Sequence, residues 1–244
     1  MTPTTLHVLA VIFIATLIRS TFGFGEALFA VPLLALRIPV QVAAPLAVLV
    51  SITVAAIVIA QDWRDIHVRS ATGLVLATAA GIPLGLWMLT STPESVVKRI
   101  LAVIIISFSL YLLFRPPLRP SRHGFAWLLG CGFAAGILGG AYGMNGPPLV
   151  VYGSLRGWSP QQFRATLQGY FFPASLIGLF GYWLAGLWVP AVTHYFLISL
   201  PIALLATLLG TTLNRRLAGG AFFRYLYVGL ILVGFMLLTQ TVAR

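Results

Sequence analysis

The chain is a succession of nearly continuous apolar runs separated by short polar or glycine-rich interruptions. Leu6 to Phe22, Val40 to Ala60, Ala71 to Leu89 and Val96 to Phe114 lie in the first half, and Phe163 to Leu184, Val189 to Leu209 and Phe222 to Gln240 in the second. Each is long enough to cross a hydrocarbon core of about 30 Å as a helix. Transmembrane strands would alternate polar and apolar residues, and these runs do not. The pattern predicts an all-α polytopic membrane protein.

Two interruptions differ from the loops because apolar sequence continues on both sides. In the first, Gly23-Phe24-Gly25-Glu26 separates Leu6 to Phe22 from a short apolar piece, Ala27 to Leu36, that contains Pro32. In the second, Phe125 to Leu138 is followed by Gly139-Gly140-Ala141-Tyr142-Gly143-Met144-Asn145-Gly146-Pro147-Pro148, with the break expected over Gly139 to Val151. Non-helical backbone at membrane depth survives only where protein or water satisfies its free N–H and C=O groups. A helix N-terminus emerging from such a break is a ready anion site. Tight packing through small residues is the structural alternative. It also accounts for Gly81-Ile82-Pro83-Leu84-Gly85, read as a kink or close-packing point.

Composition agrees with a membrane protein: of 244 residues, 59% are hydrophobic and 8% charged, and the mean hydropathy is +1.00. Soluble domains carry roughly 25% charged residues. The formal charge of +11 would suggest nucleic acid in a soluble protein, but here the bases sit in short loops, where they orient helices against anionic lipid. The first apolar run lacks a basic leader, so it is read as a retained span rather than a cleaved signal. The one cysteine, Cys131, cannot form an intrachain disulfide and is read as a packing residue.

The two halves repeat one another. Residues 1–114 form the first repeat, 115–124 (Arg115 to Gly124, with three prolines and three arginines) a linker loop, and 125–244 the second repeat. Pro39, Gln41, Ala44 and Leu46 fall on Pro160, Gln162, Ala165 and Leu167. Gly85, Arg99, Leu101 and Val103 fall on Gly210, Arg224, Leu226 and Val228 in one register. Each repeat is expected to hold a broken or re-entrant segment followed by three spanning helices. With an odd number of crossings per half the repeats are inverted. Ten bases (Arg64, Arg69, Arg115, Arg119, Arg122, Arg156, Arg164, Arg215, Arg216, Arg224) then share one side, against four (Arg37, Lys98, Arg99, Arg244) on the other. The positive-inside rule prefers this arrangement, with both termini on the non-cytoplasmic side.

Candidate chemistry gathers at the breaks. Arg19 lies one turn before the first, in apolar surroundings where a charge is functional by default; snorkelling to an interface is its structural alternative. Glu26 is the acid inside an apolar run, read either structurally, as the partner of Arg19 or a helix N-terminal acid, or as a proton-coupling carboxylate. Gln161, Arg164 and Gln168 recur at helical spacing and share a face, which would present an arginine fork and two amides to an oxyanion. Gly23, Gly25, Gly143 and Gly146 bring backbone close to a ligand, and Tyr142 and Asn145 are candidate hydrogen-bond donors. His194, with no acid nearby, is read as packed or interfacial. Nothing in the pattern calls for a cofactor or a metal.

The segments around Gly23-Phe24-Gly25 with Ala30-Val31-Pro32-Leu33, around Gly139 to Pro148, and Phe163-Arg164-Ala165-Thr166 resemble the two signature segments of the TauE/SafE family, the sulfite and organosulfonate exporter group. The resemblance covers essentially the whole chain. It implies a permease of the cytoplasmic (inner) membrane that moves sulfite, sulfonates or related small sulfur-containing anions, mostly outward. Glu26 stands where many members carry glycine or another small residue.

The sequence-level expectation is therefore a secondary transporter of a small oxyanion working by alternating access, with no enzymatic activity and no nucleic-acid partner. A gradient of substrate, proton or another cation would drive it, since no nucleotide-binding motif is present. A homo-oligomer is compatible with the sequence. A membrane-embedded enzyme acting on a lipid phosphate is the alternative from another class. It would want clustered glutamates or a metal site, and Arg19-Ser20 is the Ser-Arg pair that lies within an apolar run. An anion channel would differ in kinetics.

Overall fold

The computed structural model describes residues 2–22, 25–62, 68–114, 125–156, 160–214 and 220–242; within these, the side chains of 22, 58–62, 68–70, 160–165, 214, 220–226 and 241–242 lie outside the description. The described residues are almost entirely helical. In chain order they form α1 (Pro3–Phe22), α2 (Glu26–Leu34), α3 (Val40–Asp62), α4 (Val68–Ser91), α5 (Glu94–Phe114), α6 (Phe125–Tyr142), α7 (Gly146–Arg156), α8 (Pro160–Leu184), α9 (Pro190–Asn214) and α10 (Gly220–Val242). Six of them (α1, α3, α4, α5, α6, α9) contain described stretches long and apolar enough to cross a membrane. Their outward faces carry large apolar side chains such as Ile14, Trp87, Phe114, Phe125 and Leu208, as lipid-facing surfaces do.

The expected linker, residues 115–124, lies outside the described residues, as do 63–67 of the loop between α3 and α4. Gly81 to Gly85 is a packing point and not a break, for α4 runs through it with Pro83 inside the helix. A Cβ on Gly81 would lie 2.2 Å from the Phe133 carbonyl oxygen, and one on Gly85 2.1 Å from that of Ile137. From the other side, Gly136 and Gly140 of α6 would meet the carbonyl oxygens of Thr78 and Ile82 at 2.2 and 2.3 Å. Only glycine lets two helix backbones approach this closely. The second break is accordingly shorter than Gly139 to Val151. Gly140 belongs to the α4–α6 contact, and Gly139 makes room for the Asn145 side chain. The helix ends at Tyr142, and the break is Gly143 to Asn145.

Outside the α4–α6 pair, α1 packs along α9, α3 along α8 and α5 along α10. Gly210 of α9 meets α1 at the Leu17 carbonyl oxygen and Thr21 nitrogen, 2.9 and 3.1 Å from its would-be Cβ. Gly85 of α4 meets α6 at Ile137 and Ala141. The larger core joins α1, α2, α3 and α5, with Ile12, Leu34, Leu46, Leu101 and Ile105 fully enclosed. A smaller cluster, including Leu74, Leu149, Leu167 and Tyr170, fills the space between α4, α6, α7 and α8 and takes in Cys131. Cys131 is thus a buried packing residue.

Candidate functional site

Two positive-φ glycines turn the chain at the breaks. Gly25 (φ 100°) directly precedes α2, and Gly143 (φ 65°) follows α6. At Gly143 the N–H donates to the Gly139 carbonyl at 2.8 Å and the next N–H, of Met144, to the Leu138 carbonyl at 3.1 Å, so a left-handed residue closes the helix end. The Tyr182 hydroxyl from α8 donates to the same carbonyl at 2.8 Å. The short helices α2 and α7 then begin at Glu26 and Gly146.

The two breaks meet. Gly25, Glu26, Ala27 and Leu28 of the first and Gly143 to Pro147 of the second line one cavity of about 30 Å³, closed by Arg19, Phe108 and Phe171. Both short helices thus present their N-terminal turns, the electropositive ends, to the same space. At α2 the first helical bond is Phe29 N–H to the Gly25 carbonyl at 3.1 Å. The N–H groups of Glu26, Ala27 and Leu28 therefore precede the helix's own bonding pattern. At α7, Pro147 and Pro148 have no N–H to offer. A Cβ on Gly146 would have no atom within 4 Å.

Arg19 is the hub. Its guanidinium is 3% exposed and paired with the Glu26 carboxylate, itself 2% exposed. Nη1 donates to Glu26 Oε2 and to the Ser51 hydroxyl of α3, and Nη2 donates to Gln168 Oε1 of α8 at 3.1 Å. The Phe171 ring covers the guanidinium with its centroid 5.2 Å from Cζ, a cation–π contact. Thr16, one turn before Arg19, donates to Glu26 Oε1 at 3.3 Å. One buried charge pair therefore ties α1, α2, α3 and α8. Nε has no partner among the described residues, so the guanidinium's donors are not used up.

The second wall is held by a polar chain. Thr78 Oγ1 donates to the Gly132 carbonyl at 2.9 Å and pairs with the Tyr170 hydroxyl at 2.7 Å. Asn145 Nδ2 donates to that hydroxyl at 3.2 Å. With the threonine proton committed to Gly132, Tyr170 donates to Thr78 and accepts from Asn145.

Of the residues singled out in the sequence, Arg19, Gly25, Glu26, Gly143, Asn145 and Gly146 come together around the cavity, and Gln168 reaches it through Arg19. Glu26 is the ion-pair partner of Arg19 and also the first residue of α2, so both of its structural readings hold. Tyr142 is not part of the lining: its hydroxyl is buried against α5, donating to the Val97 carbonyl at 2.9 Å. Gly23 and the side chains of Gln161 and Arg164 lie outside the described residues. His194 is exposed beside Tyr195. Ser51, Thr16, Phe108, Phe171, Tyr170 and Thr78 were not foreseen. Phe171 follows Gln168 at helical spacing, the one sequence signal that extends the predicted face.

Helices of membrane-crossing length, exposed apolar faces and a buried charge pair between two broken segments define a multi-pass membrane protein with an internal polar site. Residues 8–237 match the sulfite exporter TauE/SafE family, so the chain belongs to that family of membrane transporters. It is 29% identical over 150 residues to the probable sulfite/organosulfonate exporter TauE of Cupriavidus necator. That match covers 61% of this chain and 57% of the relative, a little over half of the relative's length. No solved structure matches the chain.

Proposed function

We propose that the protein is a secondary transporter, working as an exporter, for a small sulfur-containing oxyanion of the sulfite or organosulfonate class. The observation that carries this reading is the convergence of both breaks and Arg19 on one buried cavity. Two helix N-termini and a guanidinium with an unused donor make an electropositive seat in a place where water is scarce. Arg164, the second base expected to neutralise the anion, has its side chain outside the described residues, and the seat argued from the cavity rests on Arg19 alone.

The cavity of about 30 Å³ exceeds the ~10–15 Å³ that a single water needs on the same measure. Moving an anion with three or four oxygens from this seat to either side of the membrane requires the walls to part. The packing supports an alternating-access route to that opening. The α1–α9 and α4–α6 pairs, with the Gly210 and Gly85 contacts within them, are the pairs that an exchange of the two proposed repeats would interconvert. Such repeats can rock against one another around a fixed site. With the family resemblance we propose the cytoplasmic membrane as its location, and with the loop charges both termini outside.

The test is efflux of labelled sulfite or methanesulfonate from proteoliposomes holding the purified chain. Saturable flux that disappears in an Arg19→Ala variant still inserted and monodisperse is the expected result. Flux that never saturates would identify a pore, and undiminished flux in Arg19→Ala would remove Arg19 from the site.

A further inference from the structure

The guanidinium that should receive the substrate is already neutralised by Glu26. An arriving anion must therefore compete with a carboxylate fixed at the first residue of α2, one that the dipole of its own helix favours as well. We propose that Glu26 is a built-in counter-anion that leaves Arg19 to the substrate by taking up a proton, so that the protein moves one proton with each monoanion. This rests on the transport reading above and names its coupling and its charge class.

The surroundings fit both states. With Glu26 ionised, Thr16 Oγ1 donates to Oε1 at 3.3 Å. With Glu26 protonated, the same hydroxyl can turn and accept the acid proton, because a threonine oxygen serves as donor and acceptor alike. Arg19 keeps Ser51 and Gln168 as partners and gains a free Nη1 position beside its unpartnered Nε. Arg19 of α1 is the charged group that meets Glu26 among the described residues. Among the described residues the other helices bring groups that do not titrate: Ser51 from α3, Phe108 from α5, the Gly146–Pro147 backbone from α7, and Gln168 and Phe171 from α8. None of the described side chains of α10, which touches α2, lines the cavity.

Charge balance selects the cargo. Empty, the site holds Arg19⁺ and Glu26⁻ and is neutral. Loaded, it holds Arg19⁺, protonated Glu26 and one anion, and is again neutral. Net charge at membrane depth is costly, and a monoanion keeps it at zero in both halves of the cycle; a dianion does not. A sulfonate or hydrogensulfite satisfies this condition. The proton comes from the side the anion enters and is released with it on the other, and no bond of the anion is made or broken.

The experiment uses full-chain proteoliposomes with an entrapped pH dye and an inward gradient of methanesulfonate, which as a strong acid's anion does not carry protons across the lipid itself. The expected result is luminal acidification of one proton per anion, with net flux insensitive to an imposed potential. In E26Q the protons per anion fall to near zero, and net flux becomes sensitive to potential because the empty site now carries the charge of Arg19. E26D, which keeps a carboxylate, retains the coupling. Methanesulfonate flux without acidification, or E26Q still moving one proton per anion, overturns the proposal and leaves the transport reading standing. Movement of sulfite but not of methanesulfonate overturns the choice of a sulfonate-like monoanion. If neither moves, the transport reading itself falls, and this inference with it.

Discussion

Breaking the Arg19–Glu26 pair from one side should not equal breaking it from the other. In Glu26→Gln a guanidinium 3% exposed loses its counter-charge, and arginine cannot shed its proton. The loss should lie in the upper part of the roughly 3–5 kcal/mol typical of a buried pair opened on one side. In Arg19→Met the stranded group is a carboxylate, which can take up a proton and stay hydrogen-bonded to Thr16. Its cost is then closer to the ~1–3 kcal/mol of an incompletely satisfied buried polar group, with up to ~2 kcal/mol more for the lost contact with Phe171. The double variant leaves neither charge behind, and neutral replacement of a whole buried pair is often close to neutral. The two single losses should therefore exceed the double loss by at least ~2 kcal/mol. Denaturant unfolding of the four purified proteins in one detergent measures this. Additivity within about 0.5 kcal/mol, the behaviour of independent sites, would refute the argument. The cycle has a second reading, since Glu26→Gln should be stabilised by added methanesulfonate more than the parent protein is, by RT ln(1 + [L]/Kd).

Three further outcomes are expected. Gly85→Val, whose Cβ would lie 2.1 Å from the Ile137 carbonyl oxygen, forces α4 and α6 apart and should destabilise by more than ~3 kcal/mol, read as loss of the monodisperse peak on size exclusion. Gly146→Ala, with nothing within 4 Å of the new methyl, should unfold within about 1 kcal/mol of the parent but raise the KM for anion uptake by filling the mouth of α7. Tyr170→Phe strips Asn145 and Thr78 of their shared partner; a loss of ~1–3 kcal/mol in the same unfolding assay is expected, accompanied by a higher KM.

The parts of the site that were legible are those where a rare residue type stands in an apolar run. Arg19 and Glu26 announce themselves because charge at that depth is expensive, and the two breaks because glycine and proline interrupt a helix. Thr16 and Ser51 carry no such signal. Hydroxyls in apolar helices commonly bond back to their own turn, as Thr21 does to Leu17 and Thr207 to Ala203, and only the helix crossings tell a ligand of Arg19 from one of these. Tyr142 shows the converse. Its place within the expected break suggested a donor to substrate, yet α6 continues through it and turns its hydroxyl to α5. Gly139 and Gly140 were read as part of the break for the same reason: a glycine that breaks a helix and one that lets another helix approach are indistinguishable until the partner, here α4, is in place.

The two breaks are alike in geometry and unlike in chemistry, and that difference bears on where an anion sits. Glu26 and Gly146 hold the same place, the first residue of the short helix. On the α2 side that place carries an acid, followed by residues whose N–H groups precede the first helical bond. On the α7 side it carries no side chain and is followed by two prolines without N–H groups. An anion drawn to donors would therefore lean on Arg19 and the α2 terminus, with its bulk in the open space over Gly146. One break supplies charge and its internal neutralisation, while the other supplies room. A second acid at position 146 would crowd the seat and place another negative charge beside the substrate. A second glycine at position 26 would leave Arg19 permanently uncompensated in the empty state. The pairing of Glu26 with Gly146 is the combination that permits a neutral empty site and a vacant place for the cargo at once.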